Sequence, residues 1–149
     1  MPASSTLGDI LNAVQAAAIA INLTSITTNV LIRKFPWIQD GVTMPVLYVC
    51  PIQELLPNQG TNRKDDTGYG VQVSAARSSN RDTALVQADQ LLEWRDKLIR
   101  GFRQDRLSGV TGSYLVTVEP GPVFDPVAFA NMLDGTTIYL RCWCREARL

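Results

Sequence analysis

Few residues of this chain have the type and spacing that chemistry needs. Among its 149 residues there is no histidine, which removes the usual general base at neutral pH and the commonest metal ligand. Ser74, Ser78 and Ser79 therefore have no imidazole partner. Lys64 sits in a polar stretch with no apolar pocket to activate it, so a serine–lysine arrangement has nothing to support it. Gly68-Tyr69-Gly70 lacks the third glycine of a phosphate loop and opens a strand pattern, not a helix. Its glycines read as easing a strand out of a loop. Asp65 and Asp66, with Asp40 or Asp125, could meet a hard cation, but no run has calcium-loop spacing. The three cysteines are Cys50, Cys142 and Cys144. The last two share one face of a strand, roughly 7 Å apart along it, too far for a relaxed disulfide. Without a histidine or a second cysteine pair, a zinc site lacks its ligands. The thiols read as core filling in a reducing compartment. No cofactor is implied and the prior for an enzyme falls.

The strand pattern around those two cysteines carries more information. Across Thr136 to Arg145, alternate side chains point to opposite sides. One side holds Ile138, Leu140, Cys142 and Cys144, a wholly apolar row that belongs in a core. The other holds Tyr139, Arg141, Trp143 and Arg145, an aromatic–arginine ladder of the residue types enriched where proteins bind partners. Three occupants of that face are open. The chain's own loops could fold back on it, through Phe124 and Phe129 for instance. Another protein could dock there. Single-stranded nucleic acid could stack on it, although 14 bases against 14 acids give zero net charge, and phosphate binding favours a basic excess. A polar tip with Arg63, Lys64, Asp65 and Asp66 is a second candidate contact surface.

The elements that must position these residues follow from periodicity. Ser5 or Thr6 can cap a first helix, in which Leu7, Ile10, Leu11, Val14, Ala17, Ala18 and Ile21 recur at helical spacing. Its other face, with Asp9, Asn12, Gln15 and Ala16, is so weakly polar that cover on more than one side is expected. Thr24 to Thr28 ends it. Asn29 to Phe35 reads as a strand and Trp37 to Thr43 as a turn around Asp40-Gly41. Met44 to Cys50 is apolar on both faces, as a central strand would be, and is closed by Pro51. Residues 52 to 67 lose all pattern and read as a long loop. Gly68 to Ala76 alternates, with Tyr69, Val71, Val73 and Ala75 inward. A long helix is predicted over 83–102, with Ala84, Leu85, Ala88, Leu91, Leu92, Arg95, Leu98, Ile99 and Phe102 on its apolar lattice. Glu93 and Lys97 form a favourable i, i+4 pair on it. The bases Arg95, Arg100, Arg103 and Arg106, interleaved with Glu93, Asp96 and Asp105, read as a mixed solvated face. Ser113 to Glu119 is a further strand, with Tyr114, Val116 and Val118 on one face. If it pairs with the last strand, Thr117 and Glu119 share a face with Arg141 and Arg145. Between them, Phe124 to Phe129 can form a short helical turn.

The expectation is an α+β fold over residues 1–149. One mixed or antiparallel sheet of about five strands carries two main helices on one face and leaves the ladder on the other. At 46% hydrophobic and 19% charged residues, a packed core is expected and global disorder is not. The stretch Ile10 to Leu23 is interrupted by Asn12, Gln15 and Asn22, is too short for a bilayer, and has no basic region ahead of it. A soluble intracellular protein is the reading.

The element order and the closing pattern resemble the tail-terminator or tail-completion proteins at the neck of long-tailed bacteriophages. The resemblance rests on the first helix, the strands around 29–35 and 45–50, the long loop before 68–76, the helix over 83–102 and the final strand pair. Val123-Phe124-Asp125-Pro126, leading through Met132-Leu133-Asp134 into the last strand, is its most familiar part. It implies a virion protein, assembled in the host cytoplasm, that forms a ring, usually a hexamer. Such a ring caps the tail tube, joins it to the head connector and lets DNA pass through its lumen, with no catalytic residues. Residues 52–67 would then face a neighbouring ring or the lumen, and part of the sheet and helix surface would lie between subunits. Stopper and tail-tube proteins are likewise small, sheet-rich and non-catalytic, so another ring of the neck or tail is an alternative. A small ligand-binding or enzymatic domain with a pocket under 52–67 is the alternative of another class.

Overall fold

The computed structural model describes residues 5–54, 58–59, 64–79, 88–103 and 107–147, with the side chains of 53–54, 58–59, 64–65 and 147 excepted. The order of elements is α1 (Thr6–Ile21), β1 (Val30–Ile32), β2 (Val46–Glu54), β3 (Asn58–Gln59), β4 (Lys64–Ser78), α2 (Asp89–Phe102), β5 (Ser113–Pro120), α3 (Pro126–Ala130) and β6 (Leu133–Ala147). The strands form one mixed sheet in the order β1-β2-β4-β6-β5, with β3 paired to β4 off this path. Among the described strands only β1 and β2 run parallel, and the other pairs are antiparallel. The fold is therefore α+β, with both main helices over one face of the sheet.

Local chemistry sets the helix ends. Ser5 Oγ accepts from the Gly8 amide at 3.0 Å and caps α1, satisfying one of the donors a helix start leaves free. At the other end Asn22 takes a left-handed conformation, which asparagine tolerates better than most residues. Ile10, Val14 and Ala18 of α1 are buried. They join Leu91, Trp94, Leu98 and Phe102 of α2 against Leu47, Val49, Val71, Val73, Ile138, Leu140, Cys142 and Cys144 of the sheet. This is the main core, and it absorbs the whole apolar row of β6.

A second, smaller cluster lies on the opposite face at one end of the sheet. Val46, Tyr48 and Cys50 of β2 pack there with Ala76, Leu133, Trp37 and Ala128. That explains why β2 is apolar on both sides. The Trp37 ring lies so close to Gly135 that a Cβ there would stand 2.5 Å from it, so only glycine fits. Trp37 itself has φ +70, a conformation rare for a bulky residue, and Tyr48 packs edge-on to it at 6.1 Å.

Several expectations are corrected. Pro51 does not close β2, which continues to Glu54 past a register shift between Pro51 and Gln53. The partner β1 stops at Ile32, opposite Val49, so Pro51 stands on a free edge where its missing N–H costs no ladder bond. The patternless loop 52–67 is mostly strand: it takes in the end of β2, all of β3 and the start of β4. The described parts pair through the backbone as antiparallel strands, while the sequence of the stretch is polar enough to show no apolar period. β1 is shorter than the strand predicted over 29–35. The first residues predicted for the long helix, 83–87, lie outside the described residues, and α2 is described from Asp89. Leu92 fits the apolar lattice of the predicted helix, yet it is 36% exposed, while Trp94 is buried. Trp94 Nε1 donates to the Thr24 carbonyl at 2.9 Å, a partner that lets an indole lie in the core.

Burial pushes the Cys142 thiol up to about 12, with Cys144 adding to the rise. Cys144 rises to about 11, by burial and then Glu146, and Cys50 to about 12 by burial. An unfolded thiol ionises near ~8.5. Above that pH the unfolded chain has lost protons that the folded chain still holds, so stability falls as pH rises. Denaturation midpoints should be level near neutral pH and decline between about pH 9 and pH 12. The Cys142→Ala, Cys144→Ala double variant should decline less steeply. Identical slopes for the two proteins would contradict this assignment.

Candidate functional site

The open face of β6 is built by register. Gly68 stands opposite Trp143 and Gly70 opposite Arg141 on β4, so no β4 side chain crowds either residue on that side. On the other flank Thr117 stands opposite Arg141 and Glu119 opposite Tyr139. The expected sharing of a face by these residues is thus observed. Arg141 Nη2 lies 3.2 Å from Glu119 Oε1, and Arg145 Nε lies 2.9 Å from Asp66 Oδ1. The bond to Asp66 holds the Arg145 guanidinium above its ordinary range. Exposed pairs of this kind contribute little stability. Their consequence here is that each arginine of the ladder has an acid of the same chain beside it.

A bulge changes one assignment. Between Ser113 and Leu115 the β5 register shifts by a residue, so Tyr114 leaves the core face it was predicted to share with Val116. Tyr114 is 41% exposed, and the Arg145 guanidinium stands 5.6 Å from its ring centroid, within cation–π range. Burial raises the Tyr114 hydroxyl above its ordinary value, and Asp66 adds to that rise. Leu115, opposite Trp143, is also exposed. The face thus holds Tyr139, Arg141, Trp143 and Arg145 as predicted, with Leu115 on the side of β5 expected from Thr117 and Glu119, and Tyr114 added. A shallow recess of about 340 Å³ opens beside Arg141, lined by Ile52, Gly70, Gln72, Glu119, Tyr139 and Leu140.

Of the second candidate group, Asp66 joins this face through Arg145. Lys64 and Asp65 pair along the backbone with Ala147 and Glu146, and their side chains lie outside the described ones. Arg63 lies outside the described residues altogether. Among the described residues no three histidine, cysteine, aspartate or glutamate side chains converge as a metal site would require. Asp125 instead caps α3, accepting from the Val127 amide at 2.9 Å.

The predicted cover by Phe124 and Phe129 does not reach the ladder. The connection from Val123 to Met132 packs over the start of β6, where Ala128 joins the Trp37 cluster and the Asp125 amide donates to the Gly135 carbonyl at 2.8 Å. Phe124 and Phe129 remain 51% and 62% exposed. Val123, Val127 and Met132 are exposed as well. Sequence alone does not mark this apolar hook as a surface, because its residues suit cover equally well. Pro126, which starts a helix too short to bury both its sides, was the available signal.

The hook is held by Arg95. The guanidinium is buried and donates to the carbonyls of Gly121 at 2.7 Å, Pro122 at 3.1 Å and Thr137 at 2.7 Å, and to Thr136 Oγ1 at 3.0 Å. Burial lowers its pKa, but arginine keeps its charge in proteins. Sequence reading put Arg95 both on the apolar lattice and among solvated bases. It occupies the lattice position and satisfies its charge on backbone oxygens, ahead of the hook and at the start of β6.

Compared with known proteins, the chain matches no family model and no curated sequence. No described helix is long and apolar enough to cross a membrane.

Removing the Arg95 guanidinium strands the buried Thr137 carbonyl and takes a donor from the part-buried Gly121 carbonyl, while the Pro122 carbonyl keeps the Thr137 amide, at roughly 1–3 kcal/mol for each group stranded. Arg95→Met should lose about 3 kcal/mol and lower the melting temperature by roughly 6–12 °C. Arg100→Met, at an exposed pair with Asp96, should change stability by no more than ~0.5 kcal/mol. Equal melting temperatures for the two variants would contradict the role given to Arg95.

Proposed function

We propose that this protein acts without catalysis, as a subunit of a homo-oligomeric ring in the neck of a long-tailed phage. In this reading the ring terminates the tail tube and joins it to the head connector. The observation that carries the proposal is the open face of β6, an aromatic–arginine surface left uncovered by the loop best placed to cover it. Tyr139, Arg141 and Trp143 are only partly exposed and Arg145 is exposed, so the face is dry enough to bind yet open enough to be reached. Its aromatic and arginine content is that of protein interfaces.

Charge favours protein over nucleic acid as its occupant. Arg141 and Arg145 are already paired with Glu119 and Asp66. A phosphate backbone would have to displace both acids, and a surface evolved to release counterions leaves its bases free. A protein partner can instead use such pairs as an oriented polar rim around Trp143 and Tyr139. The resemblance in element order supports the ring reading, and docking between the tail-tube protein and connector proteins would be its role.

Assembly should rise with concentration, in solution or on the tail tube, as read by light scattering after gel filtration. Trp143→Ala and Arg141→Glu should each weaken docking onto the tail tube by at least about tenfold, the loss of a modest hot spot, while melting temperatures change little. A protein that stays monomeric at every concentration and beside its tube and connector partners would sink the proposal. Unfolding of both variants would mean the ladder supports the monomer instead.

A further inference from the structure

The hook at 123–132 and the loop beside it form an apolar surface that the ladder does not account for. Gln39 Nε2 donates to the Asn131 carbonyl at 2.6 Å, which ties residues 33–45 to the end of α3. Ile38, next to that tether and 49% exposed, therefore lies beside the hook. Together with the five exposed hook residues it presents an apolar surface on the order of 500 Å², the size of the largest patch of a typical monomer, which is often functional, and over half of the ~800 Å² each partner buries in a standard interface. The hook is also fixed in place, by Arg95 on the Gly121 and Pro122 carbonyls and by the Asp125 cap. A knob ordered before binding loses little freedom on docking.

The same chain carries an apolar groove. Ala13, Ala16, Ala17 and Ala20 of α1 form one wall, and Phe102 and Leu107 form the other, around about 280 Å³. That is at or below the low end of the roughly 300–1,000 Å³ of small-molecule pockets, a size that suits inserted side chains. α1 has one acid and no base near its ends, so its outer face has little of its own to keep it in water.

Hook and groove cannot meet within one chain. The hook is anchored at Thr136 and Thr137 through Arg95. The groove's Phe102 and Leu107 lead into Gly112, whose carbonyl accepts from the Arg145 amide at the other end of β6. Those ends are about 26 Å apart along an extended strand, and the two surfaces lie on opposite faces of the sheet. We infer that the hook of one copy seats in the α1–α2 groove of a second copy. Such a contact joins unlike surfaces head to tail, so it repeats from copy to copy, and a rotation that closes gives the ring. One kind of contact then covers both apolar surfaces on every subunit. The inference rests on the ring reading and assigns its contact between copies.

Phe129→Glu breaks the hook and Ala16→Arg blocks the groove, both at exposed positions. Phe129→Ser and Ala20→Lys serve as a second pair if either first variant misfolds by circular dichroism. By sedimentation velocity, each variant alone should assemble roughly 30-fold more weakly than the unaltered chain, as expected for a hot spot of ~2 kcal/mol. Mixed in equal amounts, the two variants keep one intact hook and one intact groove between them, so they should form a dimer and stop there. Variants that assemble like the unaltered chain, or a mixture that stays monomeric, would overturn hook and groove while leaving the ring reading standing. An unaltered chain that never assembles would overturn the ring reading beneath them.

Discussion

The antiparallel ladder between β4 and β6 is the constraint on which the rest of this structure depends. It runs from Lys64 opposite Ala147 to Ser78 opposite Leu133 without a register shift. Because side chains alternate strictly along it, fixing Ile138 inward fixes Cys142 and Cys144 inward and Arg141 and Trp143 outward. A slip of one residue would bury two arginines and expose the apolar row. Every later feature takes its place from this ladder: the helices cover one face, the Trp37 cluster covers one end of the other, and the remaining open face carries the ladder of aromatics and arginines.

Two polar devices complete what packing begins. Arg95 brings a full positive charge into the protein and spreads it over three carbonyls and a hydroxyl. It thereby ties α2 to the turn after β5 and to the start of β6, and a buried arginine without those acceptors would be costly. The pairs Arg141–Glu119 and Arg145–Asp66 do the opposite task at the surface. They keep charge at the rim of an aromatic face without leaving an arginine ready for phosphate. Arginines thus take two forms here, one buried and tied to the backbone, the others paired with acids at the surface.

Much of the fold was legible because it depends on periodicity. The alternation in β4 and β6, the lattice of α1 and the final antiparallel pair are all local patterns, and they reappear with the expected faces. The misses share a different cause. Pro51 ends a strand only where its N–H is needed, and that depends on how far the neighbouring β1 extends. Tyr114 changes face through a one-residue bulge, which alternation cannot reveal. Trp37 lies buried although its segment reads as a turn, because its ring fills the space left by Gly135. Arg95 fits the helical lattice, but its acceptors come from residues 121–137, far along the chain. The ladder face was readable to the residue, whereas the exposed hook was not, since exposure is a property of what fails to pack against it.

The central claim is that the open face of β6 meets another protein. Hydroxyl-radical footprinting compares side-chain access in the dilute chain and in its assembled form with tail-tube protein. The account predicts that Trp143 and Tyr139 become protected on assembly, while buried Trp94 reacts slowly in both states. Assembly that leaves Trp143 and Tyr139 as reactive as in the dilute chain would contradict it.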